Sequence, residues 1–168
     1  MGASLLADAF DHHVWATRRL MDACLWLSPG QLERAVPGTY GSILGTMRHL
    51  VGTDAAYLFW LTGDRGHVVE ADMMELEQLR EAIDRNGAAW SEFLARDPDT
   101  ERIVKDVDGN GWERDTSVGI RLAQALHHGT DHRSQVCTVL TTLGVEPPSI
   151  DVWAFGLDTG RTVEVLPP

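Results

Sequence analysis

The chain has 168 residues and a formal net charge of −11, with an isoelectric point near 4.9. A chain of this length buries roughly 70% of its unfolded surface on folding, so a single domain over residues 1–168 is expected without help from disulfides or a structural metal. The acidic balance excludes a phosphate-binding surface, because nucleic-acid affinity comes largely from Lys and Arg that release counterions, and no stretch approaches the roughly 20 apolar residues of a membrane span.

The start, "MGASLLADAF", has no basic region and no long apolar run, and Leu6 stands where a myristoylation signal wants Ser or Thr. From Leu6 through Phe10, His13, Leu20, Met21 and Cys24 the apolar positions recur mostly three and four apart, which predicts a first helix ending at Ser28–Gly30. After the Gly- and Pro-rich "VPGTYGS", the set Ile43, Met47, Leu50, Tyr57, Leu58 and Leu61 predicts a second helix, closed by "TGDRG" and carrying His49. A third is expected from near Ala71 through Leu76, Leu79, Ile83, Trp90 and Leu94, stopping before Pro98.

The next segment changes period. "ERIVKDV" and "WERDTS" alternate in part, and "DGNG" supplies the positive φ of a hairpin turn, so a short two-stranded hairpin is predicted. A fourth long helix follows Thr116 or Ser117, either of which can cap it, and runs to about Leu143, with Gly144 as its C-terminal cap. The tail has no long period, although Val152, Trp153 and Phe155 can seal one end. The fold class is therefore all-α: an up-down-type four-helix bundle with a short β-hairpin before the last helix.

Within that last helix, "HHGTDHRSQ" places His128 and His132 four residues apart, where two imidazoles converge on one point beside the helix. Two neutral rings can share one cation, as in an H-E-x-x-H helix, if a third ligand comes from elsewhere. His127 is about 100° away around the helix, His67 lies in a Gly-flanked loop, and His12 and His13 read as solvent-facing or bundle-end residues. His49 has small neighbours, Thr46, Thr53 and Ala56, and is the preferred third ligand. Spacing alone does not decide the matter, since such a His pair is often a surface feature or a satisfied core pair.

Other residues take plainer readings. Trp15, Trp26, Trp60, Trp90, Trp112 and Trp153 sit at helical spacing and should mostly be core. Cys24 and Cys137 belong to no metal-binding or redox spacing and read as buried thiols in a reducing compartment. Asp54 and Asp131 could each hold an imidazole N–H, although a helical carboxylate is usually just solvated.

The segment "HHGTDHRSQVCTVLTTLGVEPPSIDVWAF" resembles the closing part of the DinB family of four-helix metal proteins, and "FDHHVWATRRLMDACLWLSPGQLER" and "GSILGTMRHLVGTDAAYLFWLTG" resemble its first two helices. The likeness is weakest over Asp64 to Asp97. It implies one divalent cation on His49, His128 and His132, with the H-R-x-Q ending, His132, Arg133 and Gln135, as its most specific mark. Many members carry another His four residues before the pair, where this chain has Gln124, so any role of that residue does not transfer.

The resemblance also implies an enzyme: a transferase using a low-molecular-weight thiol such as mycothiol or bacillithiol, or a metal-dependent hydrolase. The rival expectation is a metal-binding or stress-response protein without catalysis. Imidazole suits zinc and nickel, with iron or manganese as further candidates. Three protein ligands leave a coordination position open, and no general base stands out for hydrolysis, which puts thiol transfer slightly ahead. A cytoplasmic homodimer acting on a small molecule is expected.

Overall fold

A computed structural model describes residues 4–107 and 110–165. Its elements are α1 (Leu5–Cys24), the single turn α2 (Pro29–Leu32), α3 (Ile43–Thr62), α4 (Leu76–Ala95), strands β1 (Ile103–Val107) and β2 (Glu113–Ser117), α5 (Val118–Thr142) and α6 (Val152–Asp158). The strands pair antiparallel, Ile103 opposite Ser117 and Val107 opposite Glu113. Half of the expected turn, Asp108 and Gly109, lies outside the described residues, while Gly111 has φ +83°, the left-handed conformation that favours glycine.

Local chemistry places the helix ends. Ser4, Ser42 and Ser117 each cap a long helix by accepting from a first-turn backbone N–H. Gly63 ends α3 in the left-handed region, and Gly144 follows α5 at φ +73° while Val145 N–H donates to the Leu140 carbonyl. Ser28 caps α2 with Pro29 at its first position, so the "SPG" stretch both stops α1 and opens one further turn.

The four long helices form the bundle. α1 packs on α4 and α5, and α3 also packs on α4 and α5, so α1 and α3 stand across the bundle from each other. Leu20, Met21, Cys24, Met47, Leu50, Leu79, Ile83, Val136 and Leu140 fill one end, and Phe10, Tyr57, Leu58, Trp90, Val118 and Leu122 the other. The hairpin covers the second end, with Val104 buried there. Among the described residues, no helix is long and apolar enough to cross a membrane.

Several expectations change. The third long helix begins at Leu76 rather than Ala71, because a 3-10 turn, Ala71–Met73, precedes it and Ala71 packs against α3 at Gly52. The tail contains α6, of whose residues Phe155 is buried while Val152 and Trp153 are exposed. The tryptophans are not mostly core: Trp90 is 1% exposed, whereas Trp26 is 91%, Trp112 73% and Trp153 76% exposed. Trp26 lies beyond the end of α1, Trp112 at the start of the second hairpin limb and Trp153 in the first turn of α6, where helical spacing no longer assigns a face to the bundle.

His13 is also reassigned. It is 1% exposed, and its Nε2–H donates to Asp54 Oδ1 at 3.2 Å. Its Nδ1 accepts from Arg133 Nη1 at 3.1 Å. The approach requires Gly129 on α5: a Cβ there would lie 2.3 Å from His13 Cε1 and 2.9 Å from Arg133 Nη1, so no larger residue fits.

Candidate metal centre

Two helices supply the three histidines. On α5, His128 and His132 stand four residues apart and their ring centroids lie 4.4 Å apart. On α3, His49 faces both, with centroids 5.0 Å from His128 and 4.8 Å from His132. One nitrogen of each ring lies within 4.8 Å of the others, an arrangement that could hold a metal ion. His49 Nε2 and His128 Nε2 are 3.0 Å apart, about the separation two nitrogens take around a cation with bonds of about 2.1 Å.

The surroundings orient the lone pairs. His132 Nδ1–H donates to Gln135 Oε1 at 3.3 Å, which leaves Nε2 as the acceptor that a cation needs. His49 Nδ1 pairs with Thr53 Oγ1 at 3.4 Å, and donation by that N–H frees its Nε2 in the same way. Burial, then the neighbouring His132 and His49 rings, hold His128 down to about 4. Burial and His132 also lower His49, with Asp72 opposing. Both rings therefore favour the neutral form at pH 7, and the donor set fits a divalent ion.

Two tyrosines frame the cluster. Tyr40 stacks on His49 with centroids 4.1 Å apart and 17° between planes, and meets His132 edge-on at 5.1 Å. Gln135 Oε1 accepts from the Tyr40 backbone N–H at 2.8 Å, so one amide fixes both a histidine and the loop above it. Tyr57 stands edge-on to His128 at 5.9 Å, and Gln124 Nε2 donates to its hydroxyl at 3.4 Å. Beside His49 opens a groove of about 510 Å³ lined by Arg48, Thr53, Glu70, Asp72 and Met73 among others.

Other residues named from the sequence lie elsewhere. His12 Nε2–H donates to the Ile150 carbonyl at 2.8 Å, and His67 ends a 3-10 turn, Arg65–His67, near Asp64. His127 and Asp131 are exposed. Asp54 does hold an imidazole N–H, but that of His13. It also accepts from Trp90 Nε1 and from Asn86 Nδ2, each at 3.0 Å, forming a buried network that joins α1, α3, α4 and α5 beneath the three histidines. Spacing gave no sign of Tyr40, which lies in a loop. Of its anchors, only Gln135 carried a signal, as the last residue of H-R-x-Q.

A bundle closed by a hairpin, with three imidazoles contributed by its second and last long helices, defines a class of four-helix proteins with a candidate metal centre. The DinB family model matches residues 1–159, and the chain belongs to that family. Its fold is similar to the crystal structure of a DinB-like protein from Bacillus cereus ATCC 10987, with a TM-score of 0.67 and 15% sequence identity over 86% of this chain and 94% of that one. No curated protein matches the sequence.

Proposed function

We propose that the protein is a metal-dependent enzyme that transfers a low-molecular-weight thiol of the mycothiol or bacillithiol class to a small electrophilic substrate. His49, His128 and His132 would hold one divalent cation, zinc or nickel ahead of iron or manganese. One observation carries the reading: three imidazole rings face one another, burial lowering the pKa of His49 and of His128, and among the described residues no further His, Cys or carboxylate group joins them. A divalent ion with an open position ionises a bound thiol near neutral pH.

The chain's own residues would shape what approaches. The exposed ring of Tyr40 shields one side of His49, and Tyr57 borders His128. Cys24 and Cys137 form no disulfide, and burial pushes the Cys24 thiol up to about 12, so it serves poorly as a nucleophile. Two unpaired thiols suit a reducing cytoplasm. A homodimer is supported by the mostly apolar groove of about 700 Å³ along α1, α5 and α6, rimmed by exposed Val152 and Trp153.

Hydrolysis keeps one specific observation in its favour. Glu70 and Asp72 line the groove beside His49, where a carboxylate could accept a proton from an attacking water. Cobalt-substituted protein separates the readings. Mycothiol or bacillithiol should produce a sulfur-to-cobalt charge-transfer band that is absent from His132→Ala. If neither thiol perturbs the cobalt spectrum at millimolar concentration, transfer is wrong. Ester or amide hydrolysis lost in Asp72→Asn would then favour the hydrolase, and inactivity in both assays a non-catalytic metal protein.

A further inference from the structure

The groove along α1, α5 and α6 measures about 700 Å³ and is lined by none of the three clustered histidines. Its volume falls within the roughly 300–1,000 Å³ of small-molecule sites, which are mostly apolar with a few convergent polar groups. Leu126, Ile150 and Phe155 contribute to the apolar walls, and Arg133 and His12 also line the groove.

Arg133, the second residue of the H-R-x-Q stretch, is 3% exposed. Its Nη1 donates to His13 Nδ1 at 3.1 Å, to the His13 carbonyl at 3.3 Å and to Thr17 Oγ1 at 3.1 Å, and its Nη2 to Thr130 Oγ1 at 3.1 Å. Its Nε–H donates to nothing among the described residues. The buried side-chain nitrogen without a partner among those residues is that of Arg121, so Arg133 Nε keeps contact with solvent, and the groove is the opening that Arg133 lines. A nearly buried guanidinium with a free N–H at a cavity wall is a donor waiting for an acceptor.

His12 supplies the opposite pole. It is half-buried, and because its Nε2–H donates to the Ile150 carbonyl, its Nδ1 carries a lone pair that no described residue uses. Burial lowers its pKa most, the Ile150 carbonyl opposes, and the nearby charges of Arg133 and Asp151 act in opposite senses. The ring is therefore a neutral acceptor at pH 7.

The charges of the groove are already answered. Arg133 is balanced by Asp54 through the His13 ring, and Arg161 by Asp8. Asp151 caps α6, accepting from the Ala154 N–H at 2.9 Å. An anionic head group would face Asp151 and a cationic one Arg133, and either charge is costly between apolar walls. A carboxamide is uncharged and carries an acceptor beside a donor.

We propose that this groove binds a neutral, mostly apolar small molecule through a carboxamide, its carbonyl accepting from Arg133 Nε–H and its N–H donating to His12 Nδ1. The exposed Val152 and Trp153 form the rim, where a second copy of the chain would cover the groove rather than fill it. No reading of the metal centre enters the proposal.

The test uses the full-length protein at pH 7. Octanamide, octanoate and octylammonium are titrated by calorimetry while arginine Nε–H resonances are followed by ¹H–¹⁵N NMR. Octanamide should bind most tightly and shift the Arg133 Nε–H signal saturably. Ala9→Trp, which fills the groove from α1, should abolish binding with helical circular dichroism unchanged. His12→Phe keeps a ring and removes the acceptor, and should weaken octanamide about fivefold. An unmoved Arg133 signal, or undiminished binding in Ala9→Trp, overturns the site. Unchanged affinity in His12→Phe, or tighter binding of octanoate or octylammonium, overturns the carboxamide class. Octanamide affinity that falls as protein concentration rises would show a second copy filling the groove, and overturns the proposal as well.

Discussion

Replacing Asp54 by Ala tests whether the buried network holds together the helices that carry the histidines. The carboxylate accepts from Trp90 Nε1, Asn86 Nδ2 and His13 Nε2, and through His13 it faces Arg133. Each buried donor stripped of its acceptor costs about 1–3 kcal/mol, and leaving one member of a buried charged network uncompensated costs about 3–5 kcal/mol. These figures describe overlapping losses, so about 4–5 kcal/mol is expected in total. At about 2–4 °C per kcal/mol for a domain of this size, the melting temperature should fall by about 10–15 °C. Asp54→Asn keeps one accepting oxygen and should lose about half as much. Urea unfolding and calorimetry at pH 7 measure both variants. A loss under about 1 kcal/mol in Asp54→Ala would refute the reasoning and show that apolar packing alone sets the spacing of α3 and α5.

His49→Ala, His128→Ala and His132→Ala should each lower bound metal sharply in elemental analysis, and full occupancy in any of them would remove that residue from the site. Chelation should leave the helical circular dichroism of the wild type intact, because the apolar bundle core does not include the histidines, although bound metal will add stability by mass action. Unfolding on chelation would instead favour a purely structural ion. Metal-free protein should lose stability as pH falls from about 6.5 towards 4. His12, His49 and His128 all have lowered pKa values, His128 down to about 4. Across that window the unfolded chain binds more protons than the folded one, so stability rises with pH. A flat denaturation midpoint between pH 7 and 5 would contradict this.

Much of this protein could be read along the chain because its determinants are local. The four long helices follow from apolar residues three and four apart, several of their ends from "TGDRG", Thr116 or Ser117, and Gly144, and the hairpin from a change of period. The His128 and His132 pair was legible for the same reason, since an i, i+4 spacing fixes a shared face whatever surrounds the helix. His49 could be proposed from its small neighbours and the family pattern, but only packing of α3 against α5 brings its Nε2 to 3.0 Å from that of His128. Tertiary structure alone decided the rest. His13 looked like a bundle-end residue until Gly129 let α1 approach α5 closely enough for Asp54 and Arg133 to enclose it. Tyr40 reaches His49 because Gln135, 95 residues further on, holds its loop, and Asp106 meets Arg121 because the hairpin folds back over α5. Burial and pairing of a polar group depend on which faces meet in space, and helical period fixes a face without naming its partner.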